Sequence, residues 1–426
     1  MSSQGAPGGD HVRPAGADGP VAPGAGPQAP DDHPVGPVVP PPARPAAPRR
    51  RRARAVLVGT VLAVVIVAGL SRVLWIIVED TSPSAVLVAL VLALLPVLLV
   101  GAAFLWLDRF EAEPPGLLLF ALGWGGGVAT AIALAVNTQA SVLLDDTGPP
   151  GLVTLAVVAP LTEEVAKALG VVGVLLLRRR ELDGVVDGIV YAGMVGIGFA
   201  FVENVLYFSR SLVGGGTDEL AVVFVLRAVV SPFAHPLFTM AVGVGIGLAL
   251  TRRGPARWLF PVAGLLVAVT LHGLWNGSTF VDVAGGLGFP LVYVLLQVPV
   301  FVGAVVLAVL ARRRESHVVR RHLDTYAAAG WITGPEAAMV ASLPERRRAR
   351  RWARAAGGPG AEAAMVEFQE LACELAFARE RHRGRPADEG ARTEEERVLA
   401  SLWLLRRRFL APSGGLPAAA RAPVPA

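Results

Sequence analysis

Between Ala55 and Ala311 the chain is a succession of apolar runs, separated by short polar or arginine-bearing loops. A run of roughly 20 apolar residues matches the thickness of a bilayer. In lipid its backbone polar groups must be satisfied within the segment, which selects the α-helix. Eight runs qualify, near 55–78, 84–107, 116–138, 152–177, 185–208, 221–250, 257–278 and 287–311. The expected fold class is therefore all-α, a polytopic transmembrane helix bundle of about eight spans. Arginines close the second, fourth, sixth and eighth runs, at Arg109, Arg178 to Arg180, Arg252 with Arg253 and Arg257, and Arg312 to Arg314. Basic residues mark the cytoplasmic side, so the sequence predicts a multi-pass protein of the cell membrane with both termini in the cytoplasm.

The flanks are different in kind. Residues 1–54 form a Pro-, Gly- and Ala-rich stretch ending in Arg49–Arg54, read as a disordered basic tail. It is too long and polar for the leader of a cleavable signal peptide. The apolar middle, 55–311, reads as one transmembrane domain. Residues 312–426 read as a small, loosely packed cytoplasmic helical region with amphipathic pieces at 361–381 and 394–410. The net charge of +5 does not call for nucleic acid, because the basic residues near the spans sit at their ends. The single cysteine, Cys373, excludes a disulfide framework or a cysteine metal site.

Against this background the fourth run is anomalous, since it carries Glu163, Glu164 and Lys167 within five residues. Charge at membrane depth costs at least a few kcal/mol per group and calls for partners or a purpose. Helical spacing puts Lys167 within reach of both carboxylates. It is also the only lysine among the 39 basic residues of the chain. The remaining strongly polar groups in the spans are few. The fifth run has Asp187 at its inner end and then Glu203 and Asn204. The sixth has Arg227 and His235, and the seventh has His272 and Asn276; Arg72 in the first stands apart. Most lie on stripes of small residues spaced four apart, such as Gly188–Ala192–Gly196–Ala200–Asn204 and Gly264–Ala268–His272–Asn276, which favour close helix contact. Helical rise places Glu203, His272 and Glu163 roughly 8 to 17 Å from the outer ends of their helices, a common layer nearer the extracytoplasmic side.

Three carboxylates and two imidazoles in a low-dielectric cavity suit a divalent metal, zinc by ligand type, with a carboxylate as general base on its water. The preferred assignment has Glu203, His235 and His272 on the metal and Glu163 as base. Glu164 can exchange roles with either glutamate, and a glutamate-only mechanism stays open. Asn204 and Asn276 can orient groups or donate to an oxyanion, and Lys167 can hold a glutamate. The plain alternatives are a structural ion pair for the fourth-run cluster, interhelical hydrogen bonds for the histidines, snorkelling for Arg72 and Arg227, and a helix-start role for Asp187. A proton- or ion-coupled transporter would use similar groups, usually on internally repeated halves, which the sequence lacks.

These motifs resemble one family. Glu163-Glu-x-x-Lys167, Phe199-x-x-x-Glu-Asn204, the solitary His235 and His272-x-x-x-Asn276 are similar, in that order, to the PrsW family of intramembrane proteases. Asp108-Arg-Phe-Glu-Ala-Glu-Pro114 and Asp187-Gly-Ile-Val-Tyr191 are similar to flanking pieces of the same family. The resemblance covers roughly 84–311. It implies a multi-pass, metal-dependent protease acting on membrane proteins, with anti-sigma factors as the associated substrate class. It also implies that the first glutamate of the pair activates water.

Overall fold

The computed structural model describes residues 49–144, 151–178, 182–281, 287–381 and 389–410, and every regular element among them is helical. The stretch 1–48 read as disordered, Arg179 and Arg180, and the Pro/Ala-rich segment after Leu410 lie outside the described residues. The basic cluster Arg49–Arg54 does not belong to the tail as expected, because it forms the first turns of α1 (Arg49–Asp80).

α2 (Pro83–Leu107) starts at Ser82, whose hydroxyl accepts from the amide of Ala85 at 3.2 Å. α3 (Pro115–Leu144) contains a wide π-helical segment, Trp124–Ala129, at its glycine run. α4 (Ala159–Leu177) follows a second such turn, Thr154–Val158. α5 (Val185–Phe224) is longer than the fifth run, and Gly216, at φ +71°, breaks its direction. Only glycine takes that conformation without strain. The chain then turns back through Val225–Val230 into α6 (Ala234–Thr251), α7 (Leu259–Ser278) and α8 (Val298–Ala328).

By length and hydropathy alone, six stretches of the described residues can cross a membrane. The fourth run is absent from them for the reason that makes it interesting, its three charges. The fifth and sixth runs merge into one stretch, Val185–Thr251, of 67 residues, within which Gly216 is the bend.

α5 is the axis of the bundle, and from Val186 to Phe199 every residue of it is buried. The small-residue stripes are what let its neighbours come close. A Cβ on Gly188 would lie 2.1 Å from the carbonyl oxygen of Gly243, and one on Gly198 would lie 1.9 Å from that of Leu122. Backbone thus meets backbone where α6 and α3 cross α5, and dispersion contacts replace the hydrophobic drive that lipid cannot supply.

α8 does not end with the eighth run. It continues beyond Arg314 into a C-terminal unit with α9 (Gly334–Val340), α10 (Leu343–Arg381) and α11 (Glu389–Leu410). This region is packed around its own core of Leu323, Tyr326, Met365, Phe368 and Phe409, so the expectation of loose packing is corrected. Cys373 sits in that core at 1 % exposure. The two amphipathic pieces of the sequence supply its walls. Arg346, 3 % exposed, ties the unit to the bundle by donating to the carbonyls of Arg109 and Phe110.

Candidate active site

The charged turn of α4 faces inward because its partners converge there from three other helices. Glu164 and Lys167 are fully buried and Glu163 nearly so. The Lys167 ammonium is 2.9 Å from Glu164 Oε1, 3.4 Å from Glu163 Oε2 and 3.0 Å from His235 Nδ1. Its remaining face lies 3.8 Å from the centre of the Phe199 ring. An ammonium presents three donors and no acceptor, so this set of three acceptors saturates it.

The three carboxylates are engaged unequally. Glu164 Oε1 takes Lys167 and also lies 3.0 Å from His272 Nδ1, while Oε2 accepts from the Thr239 hydroxyl at 2.9 Å. Glu203 Oε2 lies 2.5 Å from the Arg227 guanidinium and 2.6 Å from His235 Nε2. Glu163 has only longer contacts, to Asn137 Nδ2 at 3.3 Å, Lys167 at 3.4 Å and His272 Nε2 at 3.7 Å. The imidazoles meet edge to face, their centres 5.0 Å apart, with His272 stacked on Phe238.

Glu163, Glu164, Lys167, Glu203, Asn204, His235 and His272, expected from the sequence to converge, come together. Asn204 contributes its Oδ1 as acceptor for Arg227 Nε at 2.8 Å. Asn276 does not join them; its amide donates to the carbonyl of Leu155 at 2.8 Å and ties α7 to the turn preceding α4. Arg227 does not snorkel, contrary to expectation. The bend at Gly216 swings it onto Glu203 and Asn204, because an unpaired carboxylate at that depth costs more than turning the arginine inward. Asn137 and Thr239 also belong to the chamber, and sequence reasoning misses both. Asn137 carries a signal, being one of three asparagines in the chain. Thr239 carries only its place four residues after His235 on a small-residue stripe.

Glu163, His235 and His272 can each offer one ligand atom with all three atoms within 4.8 Å of one another. Two imidazoles and a carboxylate are an ordinary donor set for zinc. With its Nδ1 beside Glu164, His272 has the carboxylate-backed arrangement that orients metal-binding histidines. The charge balance agrees, since three carboxylates face two permanent cations. In donor type, spacing and charge these residues fit a divalent ion. Glu203, expected among the ligands, is drawn instead into the pair with Arg227.

At the arginine-bearing end the two flanking sequence motifs touch each other. The Tyr191 hydroxyl donates to Glu113 Oε2 at 2.5 Å, and Glu113 N donates to Asp108 Oδ2 at 3.0 Å. Burial, and then the charge of Asp187, push the Glu113 carboxyl up to about 10; burial alone pushes Asp108 up to about 7. Asp187 caps the start of α5, accepting from the amides of Gly184 at 2.7 Å and Asp183 at 3.0 Å, the helix-start role expected of it.

Residues 113–304 match the model of the PrsW family of intramembrane metalloproteases. Among curated proteins, the protease PrsW of Clostridioides difficile is 27 % identical over 213 residues, covering 48 % of this chain and 84 % of that protein. That of Geobacillus kaustophilus is 28 % identical over 182 residues, covering 40 % of this chain and 69 % of that protein. A more local match, to the protease PrsW of Oceanobacillus iheyensis, reaches 35 % over 101 residues, or 24 % of this chain and 43 % of that protein. No solved structure matches. The relatives are proteases, which leaves the transporter reading without support. Through residues 113–304, which bear the whole charged chamber, the chain matches the PrsW family of intramembrane metalloproteases and is similar to its curated members.

Proposed function

We propose that the chain hydrolyses a peptide bond of a membrane-protein substrate, an anti-sigma factor by class, at the chamber between α4, α5, α6 and α7. The observation that carries this reading is the unequal engagement of the carboxylates. Glu164 is spent on Lys167, His272 and Thr239, and Glu203 on Arg227 and His235, whereas Glu163 has no contact shorter than 3.3 Å. Glu163 is thus the group with lone pairs to offer to a water or an ion.

His235 and His272 would hold a divalent ion, zinc by donor type, with the Glu163 carboxylate within 4.8 Å of their ligand atoms and facing its water; bound there, the ion would supply an acidified water and a Lewis acid at the scissile carbonyl. Glu163 receives the proton of the attacking water and returns it to the leaving nitrogen. Glu164 fixes the orientation of His272, and Lys167 holds both glutamates of α4. Arg227, with Asn204 beside it, is the more exposed of the chamber's two cations, at 21 % against 0 % for Lys167, and would face the developing oxyanion. The arginine-bearing helix ends lie in the cytoplasm with both termini, by the positive-inside rule, and the chamber lies nearer the outer face. In this division 55–311 is the protease domain and 312–426 its cytoplasmic unit.

The test is release of a tagged single-span substrate by purified protein in liposomes, with the metal content measured on the same preparation. Glu163→Gln is expected to lower the rate at least ~10²-fold, the usual worth of a general base. His272→Ala is expected to abolish both cleavage and stoichiometric zinc. Wild-type cleavage in both folded variants would overturn the assignment.

A further inference from the structure

On the face of α6 away from the chamber runs a cleft of about 180 Å³ between α2, α5, α6 and α8. Its walls are apolar throughout, with Leu237 and Met240 of α6 on one side and Val305 of α8 on the other. Phe233 and Phe301 meet at one end, their rings 5.4 Å apart, and Trp106 stands at the other, beside the arginine-bearing helix ends. Trp106 and Val305 are 45 % and 46 % exposed, so the cleft opens on the lipid-facing surface.

Two further observations say what belongs in it. The first is length. From Phe301 to Arg312, α8 rises about 16 Å, about half of a hydrocarbon core of about 30 Å. A transmembrane substrate helix needs the full thickness and a channel about 10 Å wide, whereas a single acyl chain of one leaflet needs what the cleft provides. The second is charge at the open end. The Arg312 guanidinium lies 3.5 Å from the centre of the Trp106 ring, and its charged neighbours include Arg109 and Arg347. Stacking fixes the guanidinium plane and leaves its N–H edges for a phosphate. The carboxyl close by, Glu315, lies among Asp108, Glu111 and Asp187.

We infer that this cleft is a binding site for one anionic phospholipid of the leaflet at the arginine-bearing end, with an acyl chain between α6 and α8 and its phosphate on Arg312, supported by Arg109 and Arg347. Basic pockets between transmembrane helices recognise anionic headgroups in this way. The site is separate from the charged chamber. It touches it through α6, where Phe233 precedes His235 by two residues, so an acyl chain braces the helix that carries an imidazole of the chamber.

The experiment is native mass spectrometry of the full chain in mild detergent, with added phosphatidylglycerol or phosphatidylcholine of identical acyl chains. Wild type is expected to retain one phosphatidylglycerol in preference to phosphatidylcholine. Arg312→Ala and Arg109→Ala are each expected to weaken that retention about fivefold. Val305→Trp, which fills the cleft, should remove it; Ala308→Leu serves the same purpose if the larger side chain prevents folding. Equal retention of the two lipids, or retention unaffected by the arginine substitutions, would mean annular lipid only and overturn the proposal. Displacement of the lipid by glycerophosphate would assign the site to a free phosphate. Displacement by a substrate transmembrane peptide would assign it to substrate. Either result overturns it as well.

Discussion

Lys167 is the residue on which the chamber turns, because one compact ammonium serves Glu163, Glu164 and His235 at 2.9 to 3.4 Å. A planar guanidinium keeps the charge but cannot point donors at those three acceptors from one buried position. Lys167→Arg is therefore expected to cut substrate cleavage at least about tenfold while lowering the melting temperature less than removal of the charge does. Equal activity would make the lysine purely structural. Lys167→Met strands the fully buried Glu164 carboxylate and should destabilise the fold by about 3 to 5 kcal/mol, measurable by thermal unfolding in detergent. The lysine and its carboxylates are legible in the sequence because charge is conspicuous in an apolar helix. Arg227 is not assignable there, since nothing local announces that Gly216 will turn it back onto Glu203. Asn276 misleads for the opposite reason: it keeps the right spacing from His272, but the turn preceding α4 offers a nearer carbonyl than the chamber does.

At the scale of the helices, the stripes of small residues are the legible part, and their meaning is steric. Gly188→Ala would put a methyl carbon 2.1 Å from the Gly243 carbonyl oxygen, so α6 must shift and carry His235 with it. A loss of about 1 to 3 kcal/mol, together with reduced cleavage, is expected. At Gly101, on α2, a methyl group would meet nothing within 4 Å, and Gly101→Ala should leave stability equal or slightly raised through helix propensity. Thermal unfolding of the two variants side by side separates close packing from composition; equal behaviour would show that the stripe does not hold α5 and α6 together. Element boundaries are less legible. The wide turn at Trp124–Ala129 falls on a glycine run, that at Thr154–Val158 on no residue pattern of its own, and they set where Trp124 and Asn137 reach α4.

For the molecule as a whole, the loop 108–114 joins the bundle to the C-terminal unit, and its role is not readable from sequence because every partner lies far away in the chain. Glu113 meets Tyr191 of α5, the carbonyls of Arg109 and Phe110 take Arg346 of α10, and Arg381 pairs with Asp183. Cys373, pushed up to about 11 chiefly by burial, reports on the same junction, and its thiol should resist alkylation at neutral pH until the C-terminal unit unfolds. Prompt labelling of the native protein would show that the unit opens readily. The carboxyls of the loop give the junction a pH dependence of definite sign. Burial raises Asp108 to about 7, Glu111 to about 8 and Glu113 to about 10, so the folded chain binds protons that the unfolded chain releases above ordinary carboxylate values. The stability they contribute is complete below about 4 and is lost progressively as pH rises through 7 to 10. Thermal unfolding followed from pH 5 to 10 should accordingly show a falling midpoint. Glu113→Gln, which keeps an acceptor for Tyr191 and has no proton to lose, should flatten the upper part of that fall. A midpoint that rises with pH, or an unchanged slope in the variant, would show that the loop carboxyls are ionised in the fold and that another group joins bundle and C-terminal unit.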